Sequence, residues 1–176
     1  LALTEVPLAI ARPYLDTIPF VGTLNGHLKA DGFLDTMRLS GDLTFRDALV
    51  DGLPLSHFVF DGRMHFGGDE GAIFEAFQLA SSTVPLSTVS RIVPAIVLPG
   101  TLALTGRLDG PWLQVNFQGV TEHYSPSQVR SRMVGRVMLD TRDTLLGIDL
   151  DANFDQLSFD GLRSGYPAIQ SRGGLT

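Results

Sequence analysis

Between Thr36 and Arg46 hydrophobic and polar positions alternate without a break. Met37, Leu39, Gly41, Leu43 and Phe45 fall on one side, and Thr36, Arg38, Ser40, Asp42, Thr44 and Arg46 on the other. A period of two is the signature of a half-buried strand. From Ser56 to Phe66 the alternation is looser, with Phe58, Phe60, Gly62, Met64 and Phe66 set against Ser56, His57, Val59, Asp61, Arg63 and His65. Leu102, Leu104 and Leu108 oppose Thr101, Ala103, Thr105 and Arg107, and Leu146, Ile148, Leu150, Ala152 and Phe154 oppose Asp149, Asp151 and Asn153. Turn chemistry separates the runs: Asp-Gly pairs at Asp31, Asp51, Asp61, Asp109 and Asp160, a GGDEG cluster from Gly67 to Gly71, and DTRD from Asp140 to Asp143. The Asp61 and Asp160 pairs also suit strand interiors or ends. About nine or ten strands follow, with helix confined to connectors such as ARPYLD and STVSRIV. The fold class is all-β, with the strand order unresolved.

The spacing of glycines repeats. GTLNGHLKADGFLDTMRLSG begins at Gly22 and GTLALTGRLDGPWLQVNFQG at Gly100, an offset of 78 (100 − 22). Val6–Leu8 and Val84–Leu86 both read VPL, Ile18 falls on Ile96, and Gly32 and Gly41 fall on Gly110 and Gly119. FDGRMHF at Phe60–Phe66 is echoed by MVGRVML at Met133–Leu139 with an offset of 73 (133 − 60). An internal repeat is the economical reading, with approximate units 6–83 and 84–161. Gly22, Gly26, Gly41, Gly62, Gly100 and Gly106 keep the register of the apolar side chains. Glycine in a strand marks a bulge or sharp bend, so an elongated sheet curling strongly around its apolar side is expected.

Composition narrows the function. Thirteen Lys and Arg scattered in a chain of net charge −6 form no basic stripe, which argues against nucleic acid as a partner. There is no cysteine, hence no disulfide or thiolate metal site. Hydrophobic residues make up 44% and charged residues only 18%, below the quarter or so usual in globular domains. IVPAIVLPG is too short and too proline-broken for a membrane-spanning helix.

The pattern VPL…IPFVGTLNGHLKADG…LSGDLTFRDALVDGLPLSHFVFDGRMHF, followed by VPLSTV…LPGTLALTGRLDGPW…VNFQG, resembles the repeats of the TamB and AsmA-like group of bacterial envelope proteins. The resemblance implies a repeating β-groove, a sheet folded lengthwise like a taco around an apolar concave interior. It also implies a periplasmic location within an inner-membrane-anchored protein, of which residues 1–176 form a single segment. Members of the group are implicated in moving phospholipid toward the outer membrane and in assembling outer-membrane proteins such as autotransporters. The expected partners are therefore phospholipid acyl chains, with an outer-membrane assembly partner or protein client as the alternative. The residues expected to line the groove are Leu24, Leu28, Met37, Leu39, Leu43, Phe45, Phe58, Phe60, Met64, Phe66, Leu102, Leu104, Leu108, Val137, Leu139, Leu146, Ile148 and Leu150.

Other arrangements suit parts of the pattern. Two such sheets face to face would make a closed sandwich, and a transmembrane barrel also alternates, although one Trp and three Tyr make poor aromatic girdles. Exposed strand edges are a further candidate surface, templating a client by strand addition. Asp149–Asp155 has the D-x-D-x-N spacing of a calcium loop, but Phe154 stands where that loop needs glycine, so a solvated strand face is expected. His57 and His65 lie eight positions apart on one strand, roughly 26 Å, too far to share a metal. His27 and His123 lack an evident companion and are expected at the surface. No G-x-S-x-G elbow or phosphate loop is present, so neither catalysis nor a cofactor is expected.

Overall fold

The computed structural model describes residues 1–11, 21–33, 35–50, 55–66, 71–94, 96–143, 146–158 and 174–175. Ten strands run in chain order: β1 (Ala2–Pro7), β2 (Gly22–Phe33), β3 (Thr36–Asp47), β4 (Ser56–Phe66), β5 (Ala72–Pro85), β6 (Thr101–Pro111), β7 (Gln114–Tyr124), β8 (Arg130–Asp140), β9 (Gly147–Ser158) and β10 (Gly174–Leu175). They form one sheet in the order β1 to β10 without a crossover, and every neighbouring pair is antiparallel. A 3-10 turn, Leu8–Ala11, follows β1, and one short helix, α1 (Leu86–Ile92), joins β5 to β6. Among the described residues the sheet is open at β1 and β10, which do not pair with each other. STVSRIV coincides with α1, whereas residues 12–16 of ARPYLD, Asp51, most of GGDEG and Asp160 lie outside the described residues.

Residues directly opposite one another in such a ladder point to the same face, so the register sorts the side chains. One row runs Leu28, Gly41, Phe60, Leu79, Gly106, Gly119, Gly135, Ala152 through consecutive pairs. Rings of neighbouring residues cover the gaps these and nearby glycines leave. A Cβ built on Gly41 would meet the Phe60 ring at 3.0 Å, one on Gly62 the Phe77 ring at 2.8 Å, and one on Gly119 the Phe117 ring at 3.0 Å. Phe77, Leu79 and Phe117 are buried, with Leu39, Phe60, Met64, Phe74, Leu104 and Leu108 packed against them. Phe77 stacks on Phe60 and meets Phe74 edge-on, both at 5.2 Å between centroids, geometries that favour ring pairs.

Three breaks in the pairing share one construction. Glu5, Ala76 and Ser81 adopt φ of 50°, 49° and 50°, a left-handed conformation uncommon outside glycine. They fall at the bulges between Leu3 and Val6, Phe74 and Phe77, and Leu79 and Ser82. Each donates its N–H to a side chain of the next strand: Glu5 to Asn25 Oδ1 at 2.8 Å, Ala76 to Asp109 Oδ1 at 2.9 Å, Ser81 to Thr105 Oγ1 at 3.3 Å. Beside each stands a glycine that pairs with the residue before the bulge, Gly26, Gly110 and Gly106. A bulge adds one residue to a strand and sharpens its twist. Two of them in β5 put Ala72, Phe74, Phe77, Leu79, Ser82 and Val84 on one face despite their uneven spacing. Ser82, fully buried, meets the backbone of Val59 where the β4–β5 ladder is interrupted, accepting from its N–H at 3.1 Å and donating to its carbonyl at 3.3 Å.

Some expectations need correction. The Asp31-Gly32 and Asp109-Gly110 pairs are not turns: both sit inside strands, where the glycines take φ of 114° and 96° while still paired. Ser56 shares the face of Phe58, pairs with Phe45 and is buried. His123 is buried opposite Leu102 and bonds through Nε2 to the Pro99 carbonyl at 2.9 Å.

Gly26 has φ of 128°, and a Cβ there would stand 2.1 Å from the Asp42 carbonyl oxygen. We expect Gly26→Ala to cost about 2 kcal/mol and to lower the melting temperature by roughly 4–8 °C. A thermal melt unchanged within 1 °C or so would show that the β2–β3 approach is not under that constraint.

Candidate functional site

The sheet carries two chemically different faces. Leu24, Leu28, Met37, Leu39, Leu43, Phe45, Phe58, Phe60, Met64, Phe66, Leu102, Leu104, Leu108, Val137, Leu139, Ile148 and Leu150 share one face by register. Leu146 lies just before β9 and is half-buried. Phe74, Phe77, Leu79, Val84, Val115, Phe117, Met133 and Phe154 join that face, and sequence reasoning had not placed most of them there. In β5 the bulges hide the period of two. Phe117 stands between Asn116 and Gln118 in an alternating run, a signal that was available.

This face is not uniform along its length. At the end where β1 turns toward β2, Leu43 and Phe45 are buried, and α1 packs against β5 with Leu86, Thr88 and Val93 buried. A cavity of about 190 Å³ lies there, bounded by Leu8, Leu24, Phe45, Phe58, Val84 and Val89, with Ser56 and Thr88 in its wall. The Arg91 guanidinium of α1 donates to both carboxylate oxygens of Asp47 at 2.6 and 2.7 Å. The Asp47 side chain is only 5% exposed, and its Oδ1 also accepts the Leu49 N–H at 3.0 Å. The helix is thus tied to the end of β3, from a distance of 44 positions in sequence. At the opposite flank the same face is open: Ile148 is 59%, Leu150 47% and Phe154 44% exposed.

The other face is laced by charge. Arg38 pairs with Asp61 and Arg63 with Glu75, His57 bonds to Asp42 and His65 to Glu75, and Arg136 pairs with Asp149. Arg132 pairs with Asp155, so Asp149 and Asp155 of the D-x-D-x-N run in β9 meet arginines of β8. Among the described residues no group of His, Asp and Glu is arranged to hold a metal ion, and no helix is long and apolar enough to cross a membrane. The Arg38 hydrogen bond holds Asp61 below its ordinary carboxylate value, His65 and then Arg63 do so for Glu75, Arg107 for Asp109 and Arg142 for Asp140.

No family model, no curated protein and no solved structure matches this chain.

Two outcomes follow from this geometry. A carboxylate whose folded pKa is depressed stabilises the fold above its unfolded value, and that contribution is lost as pH falls through the folded value. Thermal stability should therefore hold steady above about pH 5 and decline below about pH 4, the ordinary carboxylate range. A melting temperature that rises on acidification would contradict it. Arg91→Ala should destabilise by about 3–5 kcal/mol in denaturant unfolding, because it strands a buried carboxylate. A loss under about 1 kcal/mol would mean that α1 is not held to β3 by this pair.

Proposed function

We propose that the chain is a non-enzymatic, lipid-conducting segment of the bacterial periplasm, shielding phospholipid acyl chains in a groove formed by the apolar face of its curled sheet. One observation carries this reading: the strands of a single open sheet turn most of their large apolar residues to one side, and among the described residues no second sheet covers that side. Residues such as Phe117 become buried nonetheless, clustered with Phe77 and Leu79 under the side chains of neighbouring strands. Burial alone then holds a guest, at roughly 0.8 kcal/mol per methylene removed from water. The headgroup needs no dedicated contact if the groove is open along one side.

The two-unit repeat belongs to the same proposal and has support in the register. Val6 pairs with Leu24 and Thr23 with Arg46; Val84 pairs with Leu102 and Thr101 with Tyr124, each partner 78 positions on. The fourth strands match less closely: Gly41 pairs with Phe60 and Gly119 with Gly135, an offset of 75 (135 − 60) where MVGRVML suggested 73. The two offsets differ by an even number, so the apolar face is kept. Units that each leave a face uncovered gain by stacking into one continuous sheet. The resemblance to the TamB and AsmA-like group agrees with such a groove and with transfer between inner and outer membranes.

Native mass spectrometry of the purified chain, with lipid extraction of the same sample, tests the proposal. Phospholipid should co-purify, and Met37→Glu with Leu139→Glu, both at half-buried positions of the apolar face, should reduce it roughly tenfold, equivalent to about 1.4 kcal/mol. Gln118→Glu on the charged face should leave it unchanged. A folded wild-type chain that carries no lipid and takes up none from vesicles would overturn the reading.

A further inference from the structure

The cavity of about 190 Å³ beside α1 exposes no nitrogen or oxygen atom on its surface, although Ser56 and Thr88 contribute to its wall. Among the described residues none that is charged lines it. A water molecule needs roughly two to four polar partners to settle in such a space, and this surface offers none. Cavities of roughly 150 Å³ with aliphatic and aromatic walls stay dry and take up benzene-sized guests. By proportion, this one has room for an alkyl group of about seven carbons. Leu24, Phe45 and Phe58 belong both to its wall and to the apolar face of the sheet, so the cavity adjoins that face, and Thr88 and Val89 of α1 close it on the far side.

The repeat offset shows why this space is apolar. Phe45 and His123 stand 78 positions apart (123 − 45), each against the glycine that opens its GTL motif. A Cβ built on Gly22 would meet the Phe45 ring at 2.7 Å, and one built on Gly100 the His123 ring at 3.0 Å. The two rings thus occupy equivalent places with opposite chemistry. Phe45 presents only hydrocarbon to the cavity, whereas His123 bonds through Nε2 to the Pro99 carbonyl. The hollow beside His123, bounded by Pro99, Gly100, Tyr124 and Ser125, exposes polar as well as apolar atoms. A wholly apolar end site therefore goes with the phenylalanine of the first GTL motif and is lost with the histidine of the second.

We infer, on the reading of the apolar face as a groove, that this cavity receives the methyl end of an acyl chain while the rest of the chain lies along that face. The occupant follows from the surface. A headgroup, a carboxylate or a peptide would bring polar atoms to walls that cannot answer them, and a saturated chain end brings none. The volume matches the last carbons of a chain and not a whole one. A chain seated in this way has one direction, its methyl end under α1 and its headgroup away from the cavity, so the site adds a fixed end point to a face that otherwise binds by area alone.

The test uses the full 176-residue chain and dioctanoyl phosphatidylcholine deuterated everywhere except at its terminal methyls, with nuclear Overhauser contacts read to the leucine and valine methyls of the protein. The strongest contacts should reach Leu24, Val84 and Val89, and those to Val137 and Leu150 should be weak. Val89→Phe fills the cavity; it should remove the contacts to Leu24 and Val84 and weaken binding roughly tenfold, the effect of displacing about two methylenes. Val84→Phe should act in the same way and serves if the first variant does not fold. Lipid bound with its terminal methyls spread evenly over the apolar face, or bound as tightly by the folded filled variants, would overturn the end site and leave the groove standing. No lipid bound at all would overturn both.

Discussion

A single antiparallel sheet has two faces and, among the described residues here, no second sheet to hide either of them. The apolar face must therefore be buried against itself, and the rest of the structure answers that constraint. Glycines at Gly41, Gly62 and Gly119 remove side chains where Phe60, Phe77 and Phe117 lay their rings, so neighbouring strands pack a common face without a partner sheet. Glycine costs a strand conformational entropy; the ring burial it permits offsets that cost. The small cluster of buried side chains formed by Phe77, Leu79 and Phe117 is what one sheet achieves this way.

The bulges extend the same logic to the backbone. Each adds a residue and a local twist, and each has its exposed N–H taken by Asn25, Asp109 or Thr105. An unpaired amide there would otherwise weaken the sheet. The charged face works differently: its ion pairs are largely solvent-exposed and individually worth little, and they keep that face wet although Val59, Ile73, Val120, Val134 and Met138 also lie on it. The exception is Arg91 with Asp47, where a largely buried carboxylate anchors α1 over one end. The apolar face is thereby closed at that end and open at the β8–β9 flank.

Much of this was legible in the residues. Thr36–Arg46 alternates cleanly and lies in β3; the GTL motifs mark β2 and β6; inner-face glycines fall where Phe60, Phe77 and Phe117 lay their rings. The strand that holds the core together was not legible. AIFEAFQLASSTVP reads as neither period because Ala76 and Ser81 each shift the phase by one, and with that shift Phe77 and Leu79 disappear from any list based on alternation. His123 and Ser56 were misplaced for a related reason: polar residues were assigned to the wet face, whereas the Pro99 carbonyl satisfies one and cross-strand pairing with Phe45 carries the other inward. Exposure along the apolar face was likewise beyond the pattern, since Phe45 and Leu150 look alike in sequence yet one is buried beneath α1's end of the sheet and the other open.

The central claim is that the apolar face, and not the charged one, receives acyl chains. The absence of cysteine makes a direct measurement clean: single variants Val137→Cys and Gln118→Cys, each labelled with an environment-sensitive fluorophore and titrated with phospholipid vesicles. The account predicts a blue shift and enhanced emission at position 137 with none at 118. Equal responses at both positions, or none at either with the fold intact, would contradict it.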